Sequence, residues 1–157
     1  MFLILMSACD AQKADLARGQ AVPAFELENL SGQQVNVPED FSGQVLLVAF
    51  WADWCPSCRE ELRDFESIYQ AFKSQGLAVV SVNIDQDKQT IETFIHDLDL
   101  SYETLLDKKG LIAKKYSVNA LPFALIVDRR GNLGPRFLGE TPAKAIQQQV
   151  SLLLAAP

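Results

Sequence analysis

Two cysteines stand three positions apart, Cys55 and Cys58, with Pro56 and Ser57 between them. Thiols at this spacing can hold a metal, close a structural cross-link or exchange disulfides with another molecule. Structural zinc normally takes four ligands, and only Cys9 and His96 remain as soft or imidazole donors, with nothing pairing them to the motif. A permanent cross-link over so short a loop stabilises little, because the gain grows with loop length. Redox use fits better. A cysteine at the start of a helix faces unpaired backbone N–H groups and the positive end of the helix dipole, and only the thiolate attacks a disulfide. Lowering a thiol pKa from about 8.5 toward 7 takes roughly 2 kcal/mol. A helix terminus supplies about 0.3–1 kcal/mol, and about 2 in a partly buried geometry. Cys55 is therefore the expected nucleophile, and Cys58, one turn further in, the thiol that releases the reduced product. No metal, and no cofactor beyond the Cys55–Cys58 pair, is expected.

The elements around the pair must hold it at a strand-to-helix junction. Val45 to Trp51 (VLLVAFW) is an unbroken apolar run, as in a central strand covered on both faces. After the pair, Leu62, Phe65, Ile68, Tyr69 and Phe72 recur at helical spacing and Gly76 follows the end. Leu77 to Ile84 predicts a second buried strand, Lys88 to Leu98 a helix, Tyr102 to Leu106 a short strand and Leu111 to Tyr116 a further helix. Phe123 to Val127 and Leu133 to Leu138 read as an antiparallel pair across a turn at residues 128–132, with Pro135 pointing to an edge or a bulge. Thr141 and Pro142 predict an N-cap and first-turn proline for a last helix through about Leu154. Ahead of all these, Phe25–Leu30 and Gln33–Val37 alternate around Ser31-Gly32 and predict a hairpin. The order predicts an α/β sandwich around a mixed sheet.

The segment Phe50-Trp51-Ala52-Asp53-Trp54-Cys55-Pro56-Ser57-Cys58 resembles the active-site segment of the thioredoxin superfamily. Leu121-Pro122-Phe123, followed by Leu125-Ile126-Val127-Asp128 and Gly131, resembles that family's cis-proline strand and hairpin. The additional α/β unit between Asp85 and Leu106, with the N-terminal hairpin, resembles the TlpA/ResA-like (DsbE/CcmG-like) branch. The resemblance runs from about Val22 to the C-terminus. It implies a thioredoxin-like fold with an N-terminal hairpin and a central insertion, a cis Pro122 beside the disulfide, and Leu121 offering its backbone to a peptide. Trp54 and Pro56, on either side of Cys55, join Leu121 as the expected substrate contacts, while Trp51 reads as core. The sequence departs from the pattern at Ala49, where thioredoxin carries a buried acid. Glu61, Asp85 and Asp87 are the candidates to replace it in proton transfer. Arg63 stands where many relatives have a kinking proline, which implies a straighter helix. His96 reads as a surface or half-buried residue with a carboxylate nearby.

The chain has 157 residues and a net charge of −6. The length suits one domain, and the charge argues against nucleic acid or an anionic membrane surface as main partner. Residues 1–21 read as a partial lipoprotein-type signal and tether, and residues 22–157 as the thioredoxin-like domain. In the signal, Met-Phe-Leu-Ile-Leu-Met-Ser-Ala precedes Cys9, the expected lipidation site, and Asp10 resembles an inner-membrane retention signal. The expected setting is the periplasm or cell envelope, with membrane contact only through that lipid. The expected partners are protein thiol or disulfide substrates, together with an unidentified membrane electron donor that keeps the dithiol reduced. The resemblance admits cytochrome c maturation as the process served. Two other classes stay open: a peroxiredoxin-like thiol peroxidase, against which Ala52 offers no hydroxyl before Cys55, and a thiol-based metallochaperone.

Overall fold

The computed structural model describes residues 16–157, so Cys9 and the expected signal lie outside the described residues. Seven strands form one mixed sheet: β1 (Phe25–Asn29), β2 (Gln34–Val37), β3 (Val45–Trp51), β4 (Leu77–Ile84), β5 (Glu103–Asp107), β6 (Phe123–Val127) and β7 (Leu133–Leu138). Their order is β2-β1-β5-β4-β3-β6-β7. Strands β3, β4 and β5 run parallel, and β6 is antiparallel to β3. Four helices complete the fold: α1 (Pro56–Phe72), α2 (Lys88–Asp97), α3 (Leu111–Lys115) and α4 (Ala143–Ala155).

The apolar run of β3 is explained by its two faces. Val45, Leu47, Ala49 and Trp51 point into a core shared with Leu62, Phe65 and Ile68 of α1, Ile91 and Phe94 of α2, and Ile146 and Val150 of α4. Leu46, Val48 and Phe50 point the other way, toward Ala113 and Tyr116. Side chains alternate along a strand, so a strand covered on both faces must be apolar at every position. Helix α1 runs unbroken through Arg63. A short 3-10 turn extends it to Gly76, whose φ of 97° returns the chain into β4.

Two features differ from the sequence expectation. Thr141 does not cap α4. Pro142 occupies the N-cap position, and the Thr141 hydroxyl instead donates to the Gly139 carbonyl at 3.3 Å. With Pro142 at the N-cap position, Thr141 stands one residue outside the helix and its side chain turns back toward Gly139. Packing also begins ahead of Val22: Leu16 is buried, and Gly19 N–H donates to the Leu133 carbonyl at 2.8 Å. The N-terminal hairpin joins the main sheet through β1 and β5, which pair antiparallel.

Candidate functional site

The pair sits where β3 ends and α1 begins, at the C-terminal edge of the parallel strands, the edge where open α/β sheets commonly place their sites. Cys55 is the N-cap of α1 and Pro56 its first residue. A proline is tolerated there because its missing N–H has no helical partner. No acid lies in the first turn, so the dipole's effect on a Cys55 thiolate is not opposed from within that turn. The two cysteines are joined in a disulfide with Cα atoms 5.3 Å apart. Both are buried, Cys58 completely and Cys55 to 4% exposure.

Trp51 is core, stacked on Phe94 with centroids 4.5 Å apart. Trp54 is 68% exposed, and Pro56 beside it is exposed as well. Trp54 shares a shallow groove of about 460 Å3 with Ile84, Ala113, Lys114, Val118 and Leu121. The Leu121–Pro122 bond is cis, and Pro122 is buried while Leu121 is half-buried. The Pro122 carbonyl accepts from Gly139 N–H at 2.9 Å, which ties the start of β6 to the turn leaving β7. A second cis bond, Val37–Pro38, was not foreseen.

The three acids offered for proton transfer separate cleanly. Asp87 caps α2, accepting from Thr90 N–H and hydroxyl at 3.0 and 2.6 Å, and the Thr90 side-chain and backbone hydrogen bonds hold its carboxyl below the usual range. Asp85 is exposed, at a left-handed φ of 53°. Its N–H donates to the Asp107 carbonyl at 3.0 Å. Glu61 alone is buried, to 7% exposure. It lies one turn after Cys58 on the same face of α1, where residues three apart are neighbours. Burial, with the charge of Asp64 adding to it, pushes its carboxyl up to about 7. One of its oxygens, Oε1, is buried without a hydrogen-bond partner. Ala49 is fully buried and cannot supply an acid. His96 is a surface residue, with Nδ1 3.7 Å from Asp97.

One contact at the site was not legible in the sequence. The Gln86 side-chain oxygen accepts from the Asp53 backbone N–H at 2.8 Å and from the Asn83 amide at 2.7 Å. Its nitrogen donates to the Asp53 carboxylate. Gln86 thus fastens the Asp53–Trp54 turn, immediately before Cys55, to the end of β4. The available signal was Asn83, a polar residue near the C-terminal end of a strand that is apolar but for it and Ser81.

A family model described as AhpC/TSA matches residues 18–135. The sporulation thiol-disulfide oxidoreductase A of Bacillus subtilis is 31% identical over 132 residues, covering 82% of this chain and 79% of that protein. The thiol-disulfide oxidoreductase ResA of Bacillus subtilis is 26% identical over 149 residues, 95% of this chain and 83% of its own. Among solved structures, a Chlorobium tepidum protein described as a DsbE thiol:disulfide interchange protein aligns with a TM-score of 0.84 at 28% identity, covering 90% of this chain and 100% of that one. With a match across most of its length and relatives of this kind, the chain belongs to the AhpC/TSA family, as one of its thioredoxin-like thiol–disulfide oxidoreductases.

Proposed function

We propose that this protein reduces disulfides of other polypeptides in the bacterial cell envelope, using Cys55 and Cys58 as its redox group without a further cofactor. The observation that carries the reading is the arrangement on α1: a cysteine at the helix N-cap, a second cysteine fully buried one turn in, and a buried acid one turn beyond that. The Cys55 thiolate attacks one sulfur of the substrate disulfide, a mixed disulfide forms, and one substrate thiolate leaves. Glu61 takes the proton from the Cys58 thiol. The Cys58 thiolate then attacks Cys55 Sγ, the second substrate sulfur leaves as a thiolate, and the Cys55–Cys58 disulfide remains. Two electrons have passed to the substrate. A group that titrates near the working pH suits this transfer, being able both to accept the proton and to give it up again.

The reducing direction is supported by what surrounds the thiol. Strong stabilisation of the thiolate makes a pair oxidising, and Pro56 and Ser57 bring no positive charge. Arg59, the cation next in sequence, places its guanidinium over the Phe94 ring, 4.6 Å from the centroid. A peroxidase role is disfavoured by Ala52, buried and without a hydroxyl in the turn before Cys55. The envelope setting rests on the signal-like segment ending at Cys9, and likeness to proteins named ResA and DsbE supports it. In that setting a lipid on Cys9 tethers the domain, a membrane electron donor restores the dithiol, and cytochrome c maturation is one process so served. No helix among the described residues is long and apolar enough to cross a membrane.

The deciding measurement is the reduction potential of the pair in Cys9→Ser protein, equilibrated in thiol–disulfide buffers. A value at or below about −200 mV is expected. A value near −120 mV, that of the oxidant DsbA, would reverse the direction, and failure to form a reversible disulfide would end the oxidoreductase reading.

A further inference from the structure

At Ser57, between the two cysteines, and sharing no residue with the groove of Trp54, lies a cleft of about 340 Å3 whose walls are the opening turns of α1 and the turn between β7 and α4. Four carboxylates line it: Glu60, Glu61 and Asp64 from the helix and Glu140 from the turn, with the hydroxyl residues Ser57 and Thr141. No lysine or arginine lines it, and none of the four acids belongs to an ion pair among the described residues. An acidic surface alone would be ordinary. This one contains Glu61, more than nine-tenths buried, whose Oε1 has no hydrogen-bond partner. A buried acceptor left unsatisfied is costly, so one residue of the wall carries an acceptor in want of a donor, among charges that favour a cation.

We propose that this cleft is the subsite for a lysine or arginine side chain of the polypeptide whose disulfide Cys55 attacks. The inference rests on the reductase reading above and adds the substrate's chemistry to it. A compact metal ion is a poor fit, since among the described residues no three of His, Cys, Asp and Glu stand close enough to hold one. A long cationic side chain needs no such convergence: its apolar stem can lie along the wall while the head group reaches several acceptors.

The position of the cleft makes the contact available during exchange. Ser57, between the two cysteines, forms part of its rim. The opposite wall is fixed by the hydrogen bond from Gly139 N–H to the Pro122 carbonyl, and Gly139 takes a φ of 74° to turn the chain toward Glu140. A peptide engaged at Cys55 therefore meets a thiol flanked in the chain by Trp54 of the apolar groove and, two residues on, by Ser57 of the acidic cleft. An arriving cation also favours the ionised form of Glu61, which burial and the charge of Asp64 otherwise disfavour, with Glu60, Glu140 and the Tyr102 phenol the other titratable groups nearby. Occupation of the subsite thus prepares the acid that takes the Cys58 proton.

The test uses three disulfide-linked peptides that are identical except for lysine, alanine or glutamate a few residues from the cysteine. Their reduction by the dithiol protein is compared with reduction by a protein carrying both Asp64→Asn and Glu140→Gln, whose folding is checked by its thermal transition. The expected result is a kcat/KM about fivefold higher for the lysine than for the alanine peptide, with glutamate lowest, as for a few partly exposed ion pairs. The lysine preference should collapse toward unity in the double variant, and in the unaltered protein when salt is raised to about 0.5 M. Equal rates for the three peptides, or a preference that survives both changes, would overturn the subsite while leaving the reductase reading intact. Failure to reduce any of the three would remove the reductase reading, and the subsite with it.

Discussion

Glu61 shows how one residue's setting decides its chemistry. In the sequence it was one of three acids of equal standing. In the fold Asp87 is committed to a helix cap and Asp85 to the surface, whereas Glu61 shares the buried face of α1 with Cys58. Burial is the main cause of its raised carboxyl pKa, and this has a consequence for stability that can be signed. An unfolded glutamate loses its proton near 4.5, the folded one near 7. Between those values the folded state holds more protons than the unfolded state, so its stability falls as pH rises. Below about 4.5 the penalty is absent, and above about 7 it is complete, at roughly 3 kcal/mol. Glu61→Gln should remove this slope: denaturant titrations of the disulfide form would show the variant more stable at pH 8, with the advantage gone by pH 4. The same variant should slow release of reduced substrate from the mixed disulfide by about 100-fold, the usual share of a proton acceptor. Identical pH dependence in the two proteins would show that Glu61 is not the buried, titrating acid.

At the scale of elements, the sheet and its helices were legible because burial imposes a period. The run in β3 has to be apolar on both faces, and the spacing of Leu62, Phe65 and Ile68 on α1 is the spacing of its buried stripe. Contacts that depend on tertiary approach carry no such period. Thr141 looked like a cap and is held inside its own turn. Gln86 lies 33 residues from the Asp53 it binds, and nothing in either neighbourhood announces the pairing. Yet Gln86 holds the turn that presents Cys55 to the start of α1, with the left-handed backbone of Asp85 turning the chain just before it. Gln86→Ala would leave the Asp53 N–H and the Asn83 amide without their shared acceptor, costing about 0.5–1.5 kcal/mol of stability. It would also free the Asp53 carboxylate and loosen the seat of the thiolate over the helix N-terminus. The expected outcome is a Cys55 pKa raised relative to the unaltered protein, read from the pH profile of alkylation in a Cys9→Ser background. A profile that does not move would make Gln86 a structural brace only.

The whole molecule differs from its sequence reading most at the N-terminal side. The sequence reads residues 1–21 as a signal and tether, because a tether and an edge-binding segment look alike when the partner strand is more than a hundred positions away. In the fold, Leu16 enters the core on the face of the sheet shared with Tyr116 and Leu133. The backbone of residues 19–22 is hydrogen-bonded to residues 131–133: Gly19 N–H to the Leu133 carbonyl, Leu133 N–H to the Gln20 carbonyl and Val22 N–H to the Gly131 carbonyl, at 2.8, 2.8 and 2.9 Å. Edge strand β7 is thereby covered at its beginning, which suits a strand that would otherwise present unpaired groups to another chain. The consequence is measurable with two shortened proteins, one beginning at residue 16 and one at residue 22. Burying a leucine contributes about 1.5–3 kcal/mol, and each net hydrogen bond about 0.5–1.5 kcal/mol. The shorter protein should therefore unfold with roughly 3 kcal/mol less stability in denaturant. Because β7 leads into the Gly139–Glu140 turn, its loosening should also blunt the preference for a lysine-bearing substrate while sparing the reduction potential of the pair, which is set at the start of α1. Equal stability of the two proteins would return residues 16–21 to the tether and place the start of the folded unit at Val22.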